Sequence, residues 1–234
     1  MARSSRAVLV VPANNTTMEP EVRMLCPDIG TVDVARVPRP PRALTQDDIP
    51  AYMASTLQAA EPFTTSPADV VIYGCTAAGF LAGPEGNGRI VRELGRQSSA
   101  VVVSTADAMI AVLAAAGAKR IGVVTPYLPA VNEGLTAYLA ASGIEVVTLS
   151  TFACGTTDAL GRITEGEVMA RALDVGETSA DALFIACSQL PTVGILSALR
   201  ERLKRPVWSS IAATAWAASR VLAGTTTQRS ELAA

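Results

Sequence analysis

Two cysteines sit in matched surroundings. "VIYGCTAAGF" (71–80) runs from a β-branched stretch into Gly, Cys and small residues, and "LFIACSQLPT" (183–192) does the same much later in the chain. Thr76 follows Cys75 and Ser188 follows Cys187, so each thiol also has a neighbouring hydroxyl donor. Two thiols on opposite sides of a small molecule can act without metal or cofactor. One, as thiolate, adds to a carbon or removes its proton, and the other delivers a proton. The substrate then needs an electron-withdrawing group, most simply a carboxylate. The chain has no histidine. That excludes Ser-His-Asp and Cys-His nucleophiles and HExxH metal sites, and leaves proton transfer to cysteine, carboxylate, tyrosine or lysine. Cys26 and Cys154 have no matched context and read as small buried hydrophobes.

The elements that must position the pair follow from hydrophobic patterning. Short β-branched runs alternate with Ala/Leu-rich stretches of helical period, the mark of βα units and a parallel sheet. Strands are expected at 7–11, 31–37, 69–75, 100–105, 120–125, 145–151, 181–187 and 206–210. Helices are expected at 46–60, 86–97, 105–117, 129–142, 165–178, 191–204 and 210–222. Cys75 follows Val11 by almost the same interval as Cys187 follows Val124. The fold class is therefore α/β, two pseudo-symmetric Rossmann-like lobes with parallel sheets and the active site in the cleft between them. The expected division is 1–117 for the first lobe, with a C-terminal helix able to cross over to it, 118–223 for the second, and a flexible polar tail at 224–234.

In open parallel sheets ligands gather at the carboxyl ends of the strands. Both cysteines fall there, beside backbone N–H groups that stabilise an anion. Asn14, Asn15, Thr16 and Thr17, after the first strand, are placed to hydrogen-bond one carboxylate, and Tyr127, after the fifth, to bond another. The same residues also suit ordinary duties, Asn14–Asn15 as a turn and Thr17 as a helix N-cap.

Half of the 234 residues are apolar and 17% are charged, enough for a sizeable core. A net charge of −2 and a sequence pI near 5.3 offer no basic field for nucleic acid. No uninterrupted apolar stretch approaches the ~18–20 residues that span a bilayer. "AVLVV" (7–11) near the N-terminus reads as a first strand rather than a signal peptide. Four cysteines without a CxxC pair point to a cytoplasmic protein rather than a disulfide framework.

The chain resembles the aspartate/glutamate racemase superfamily, and within it the branch of maleate cis–trans isomerases and arylmalonate decarboxylases. The resemblance spans about residues 7–222 and is strongest at "VPANNTTMEPE" (11–21), "YGCTAAGF" (73–80), "VVTPYLPAVNEGL" (123–135) and "ACSQLPT" (186–192). It implies Asn14 on a substrate carboxylate, Cys75 as nucleophilic thiol, Cys187 as proton donor and Tyr127 in contact with substrate. It also implies a homodimer. Decarboxylases of this branch lack a cysteine where Cys75 stands, which favours isomerisation. Isomerases carry a substrate-contacting asparagine after the sixth strand, where this chain has "GTTDALG" (155–161). Asp158 in that stretch would repel a dicarboxylate if it faced inward, or bind the amino group of an amino acid. The expectation is a cofactor-independent two-cysteine isomerase of a small dicarboxylate, foremost maleate. An amino-acid racemase or a decarboxylase is the alternative on this scaffold. A redox-sensing or ligand-binding module is the alternative from another class.

Overall fold

The computed structural model describes residues 4–176 and 178–232, with side chains through residue 224. The first half contains β1 (Ser5–Pro12), α1 (Met18–Leu25), β2 (Ile29–Val37), α2 (Ile49–Ala60), β3 (Val70–Tyr73), α3 (Thr76–Ser98), β4 (Val101–Ser104) and α4 (Thr105–Ala115). The second contains β5 (Arg120–Thr125), α5 (Pro129–Ala140), β6 (Glu145–Thr151), α6 (Thr157–Gly161), α7 (Glu165–Gly176), β7 (Ala182–Ile185), α8 (Leu196–Leu203), β8 (Val207–Ser209) and α9 (Ser210–Leu232). Two four-stranded sheets result, ordered β2-β1-β3-β4 and β6-β5-β7-β8. All pairings are parallel. The strand orders are equivalent, so the internal similarity of the sequence is a similarity of topology.

The central strands are buried on both faces, which is why they read as continuous apolar runs rather than alternating ones. Leu9, Ile72, Ile121 and Phe184 are fully buried. Register is equivalent in the two halves: Val10 pairs with Tyr73 in the first sheet, and Val124 with Ile185 in the second. Both sheets therefore stop at comparable depth, and their carboxyl ends carry the two cysteines.

Several elements differ from the sequence expectation. α1 was not among the expected helices, although Thr17 suited its N-cap position, because Pro20 and the charges of "MEPEVRML" mask an inward face made by Met18, Glu21 and Val22. α3 begins at Thr76 rather than at 86. Gly83 (φ 68°, ψ 177°) and Pro84 break it, so the first turns looked like loop. α8 begins five residues later than expected, leaving an irregular stretch after β7. α6 lies inside what read as a loop. α9 packs against α4 and α1 of the first half. There the Cys26 thiol donates to the Ala215 carbonyl at 3.4 Å, and Ile211, Ala213, Ala215 and Ala218 are buried. The backbone of α9 continues to Leu232. The remainder of the expectation for 224–234 concerns side chains from 225 and residues 233–234, outside the described residues. Among the described residues, no helix is long and apolar enough to cross a membrane.

Candidate active site

Each cysteine is delivered by the same backbone device. Beyond β3, the Gly74 N–H donates to the Val10 carbonyl at 2.8 Å; beyond β7, the Ala186 N–H donates to the Val124 carbonyl at 2.8 Å. The next residue is Cys75 in one half and Cys187 in the other. A side chain at Gly74 would place its Cβ 2.7 Å from Val11 Cγ1. Only glycine lets the strand end pass so close to β1 and α1. Cys75 then caps α3, its carbonyl accepting the Gly79 N–H at 3.2 Å. Cys187 enters a turn instead, and the Gln189 N–H points back at its sulfur from 3.3 Å. Both thiols are free and buried.

The two cysteines line one cavity of about 310 Å³ together with Asn14, Arg39, Thr76 and Tyr127. It adjoins a second, largely apolar part of about 380 Å³ that includes Leu44, Leu128, Val131 and Leu160. The two parts share Arg39, Ala77, Tyr127 and Leu160. Buried polar atoms usually find a partner. Here four do not: Asn14 Oδ1, Arg39 Nε, Thr76 Oγ1 and the Tyr127 hydroxyl. All four belong to residues lining the cysteine cavity. Tyr127 is held firmly by its neighbours. Its carbonyl accepts from Asn132 Nδ2 (3.0 Å) and Thr151 Oγ1 (2.6 Å), and its ring stands edge-on to Phe80. The hydroxyl has no partner in strict hydrogen-bond geometry, yet it lies near the Cys187 thiol and Thr76.

The thiols differ electrostatically. Burial pushes the Cys75 thiol above its ordinary value, while the Arg39 charge, the Tyr52 hydroxyl and the Ala78 N–H pull it back. The Tyr52 hydroxyl has no partner in hydrogen-bond geometry, yet it lies near enough to favour the thiolate. Burial pushes Cys187 up to about 11, eased by the Gln189 N–H, the Tyr127 hydroxyl and the Leu190 N–H, with no cation among the causes. A nearby cation favours ionisation and uncompensated burial opposes it. The surroundings of Cys75 therefore include a cation that favours its thiolate, and those of Cys187 do not. Burial, and then the neighbouring Cys187, hold the Tyr127 phenol well above its usual range, so it stays a donor.

Asn15 and Ser188 also line the cavity, but their polar atoms are committed to joining the halves. Asn15 Nδ2 donates to the Ser188 carbonyl (3.0 Å) and Oγ (3.1 Å). Its Oδ1 accepts from the Thr17 and Met18 N–H groups. Ser188 Oγ donates to the Gly74 carbonyl at 2.6 Å. These bonds join the two cysteine loops. Thr16 and Thr17 extend the seam onto Gln189. Glu21 completes it, accepting from the Thr192 N–H (2.7 Å), Thr192 Oγ1 (3.0 Å) and the Val193 N–H (3.2 Å). Asp158 is exposed on α6 and is not among the described residues lining either part of the cavity; Thr156, Thr157 and Leu160 are.

Sequence reasoning missed Arg39, Tyr52, Gln189 and Glu21. Gln189 and Glu21 lie within the quoted motifs, where a signal existed. Arg39 comes from a proline-rich loop and Tyr52 from the middle of α2, where only tertiary approach reveals them.

Residues 8–232 match the arylmalonate decarboxylase family. The chain is 27% identical to maleate isomerase of Nocardia farcinica over 225 residues, covering 93% of this chain and 90% of that protein. It is 24% identical to arylmalonate decarboxylase of Bordetella bronchiseptica, covering 92% and 86%. Among solved structures it is similar to the Nocardia farcinica maleate cis–trans isomerase in a cysteine-to-serine variant with a covalently bound succinylcysteine intermediate. That similarity has a TM-score of 0.86 at 26% identity, over 93% of this chain and 92% of that one. A match running through both sheets and both cysteine loops leaves one conclusion about ancestry: the chain belongs to the arylmalonate decarboxylase family.

Proposed function

We propose that this protein is a cis–trans isomerase of a small unsaturated dicarboxylate, converting maleate to fumarate through a covalent adduct on Cys75. The observation that carries this reading is the single cavity holding two buried thiols and four unpartnered polar atoms, drawn from both halves of the fold. The relatives named maleate isomerase, and the covalent succinylcysteine in one of them, support it.

In this mechanism the Cys75 thiolate forms a C–S bond to one alkene carbon. The π pair moves onto the other carbon and into its carboxylate, an enediolate that accepts hydrogen bonds from Tyr127 and Thr76. The former double bond is now single and rotates. Cys187 protonates the carbanionic carbon to give a succinyl thioether and takes that proton back. The returning electron pair then rebuilds the alkene in the trans arrangement as the C–S bond breaks and Cys75 leaves as thiolate. Asn14 holds a carboxylate throughout. No step draws on a cofactor. The four free cysteines support a reducing, cytoplasmic setting, and a homodimer is the assembly the family likeness favours.

Proton NMR in heavy water tests the reading: the maleate vinylic signal should give way to that of fumarate. Cys75→Ala should lower that rate by at least about 10,000-fold with the fold retained. Unchanged turnover by that variant removes the mechanism. The adjoining apolar part of the cavity favours a second reading, decarboxylation of a malonate bearing an apolar substituent. Phenylmalonate in the same experiment reports it as loss of carbon dioxide.

A further inference from the structure

Arg39 is the only charged residue among the described residues lining either part of the cavity, and it stands where the two parts meet. Its loop is stiff. Pro38, Pro40 and Pro41 fix φ, and a residue that precedes proline is held extended. The loop is also fastened across the cleft mouth. The Ala43 N–H donates to the Gly155 carbonyl at 3.0 Å, and the Thr157 N–H to the Pro41 carbonyl at 2.9 Å. The nearby Arg42 is fully occupied, gripping Asp48 with two hydrogen bonds of 2.6 and 2.7 Å. Arg39 differs. One terminal nitrogen donates to the Arg42 carbonyl at 3.0 Å, which orients the guanidinium, while the buried Nε has no partner.

A buried cationic N–H without an acceptor is a donor set for an anion, and the fork geometry of guanidinium suits a carboxylate. Tyr127 and Thr76 are neutral donors placed at the thiols, enough for the carboxylate that becomes the enediolate. A dicarboxylate brings a second negative charge that those groups leave unbalanced.

We propose that Arg39 anchors the second carboxylate of the substrate, so that the cleft selects dicarboxylates over monoacids and their amides. The inference rests on the isomerase reading and adds to it the residue that sets substrate class. The stiff loop means that little side-chain and backbone freedom is lost when the carboxylate docks. The same charge reaches Cys75 and draws it toward thiolate. An effect on the thiol alone would slow every substrate equally, whereas an anchor discriminates between them.

Steady-state kinetics on maleate and on its mono-amide, maleamate, separate the two roles. Arg39→Gln should lower kcat/KM for maleate by about 10- to 100-fold, chiefly through KM, and shrink the preference for maleate over maleamate by a similar factor. Arg39→Lys should keep part of that preference. Equal losses on both substrates overturn the anchor. A second measurement does not depend on turnover. Alkylation of Cys75 by iodoacetate and by iodoacetamide, resolved by peptide mass spectrometry, gives a ratio that reports anion recognition beside the thiol. Arg39→Gln should reduce that ratio about tenfold and Arg39→Lys should largely preserve it; a ratio unchanged in Arg39→Gln overturns the proposal. Should the wild type leave maleate and maleamate untouched, the isomerase reading fails by itself and the alkylation ratio alone decides Arg39.

Discussion

Two identical side chains sit in different electrostatic surroundings. Cys75 has a guanidinium and a phenol nearby; Cys187 has backbone N–H groups and Tyr127. The proposed mechanism needs Cys75 deprotonated and Cys187 protonated. Burial raises Cys75 above the ordinary thiol value, so kcat/KM should climb with pH through the alkaline range as the thiolate forms. It should fall again as pH passes about 11, where Cys187 loses its proton. A pH–rate profile of the wild type checks both limbs, and a flat profile contradicts the assignment. Cys187→Ser should abolish the descending limb, because serine does not ionise there. It should also slow resolution of the adduct, leaving a maleate-sized mass increment on Cys75 that intact-mass spectrometry detects. Finding the increment on residue 187 in a Cys75→Ser variant, but never on Cys75, would reverse the two roles.

At the scale of elements, the loop ahead of α1 and the turn after β7 form one seam. Glu21 is its far fastening, a 5% exposed carboxylate that accepts from Thr192 and Val193. Glu21→Ala strands those donors and should destabilise the protein by about 1–3 kcal/mol. It should also lower kcat more than it raises KM, since the turn that carries Cys187 loses its support. Glu21→Gln keeps an acceptor for both N–H groups and offers a donor to Thr192 Oγ1, so it should be tolerated. Burial holds the Glu21 carboxyl above the usual carboxylate range, with backbone N–H groups opposing that shift. A raised folded-state value means that the stability contributed by the protonated form is present at low pH and is lost as pH rises through it. Subtracting the melting curves of Glu21→Gln from those of the wild type isolates that loss, and a difference independent of pH sinks the point. The strands were legible in the sequence because burial on both faces leaves β-branched runs such as "VVIY" and "ALFI". The cysteine pair was legible because a repeat in topology leaves a repeat in spacing. Arg39 and Tyr52 were not, since membership of a cavity is decided by which loops approach in space. Asn15 and Ser188 line the cavity as their residue types suggest, but their polar atoms also bond each other, the Thr17 and Met18 N–H groups and the Gly74 carbonyl.

At the scale of the whole molecule, α9 leaves the second sheet and packs on the first, while the Asn15–Glu21 seam ties the halves from the other side. The first half is covered by α9 from the second, which packs on α1 and α4 with Ile211, Ala213, Ala215 and Ala218 buried. Calorimetry should therefore show one cooperative transition, with van't Hoff and calorimetric enthalpies in agreement. Two resolved transitions would show that the halves fold independently. The fastening across the cleft mouth has an evolutionary corollary. The bonds from Ala43 to Gly155 and from Thr157 to Pro41 run from amide to carbonyl, and the Thr157 hydroxyl adds a further bond to Pro41 at 3.2 Å. Descendants can exchange the residues facing the substrate, and so acquire new chemistries, while the doorway keeps its shape. Ala43→Pro or Thr157→Pro would each delete one of these amide donors, because proline alone carries no N–H.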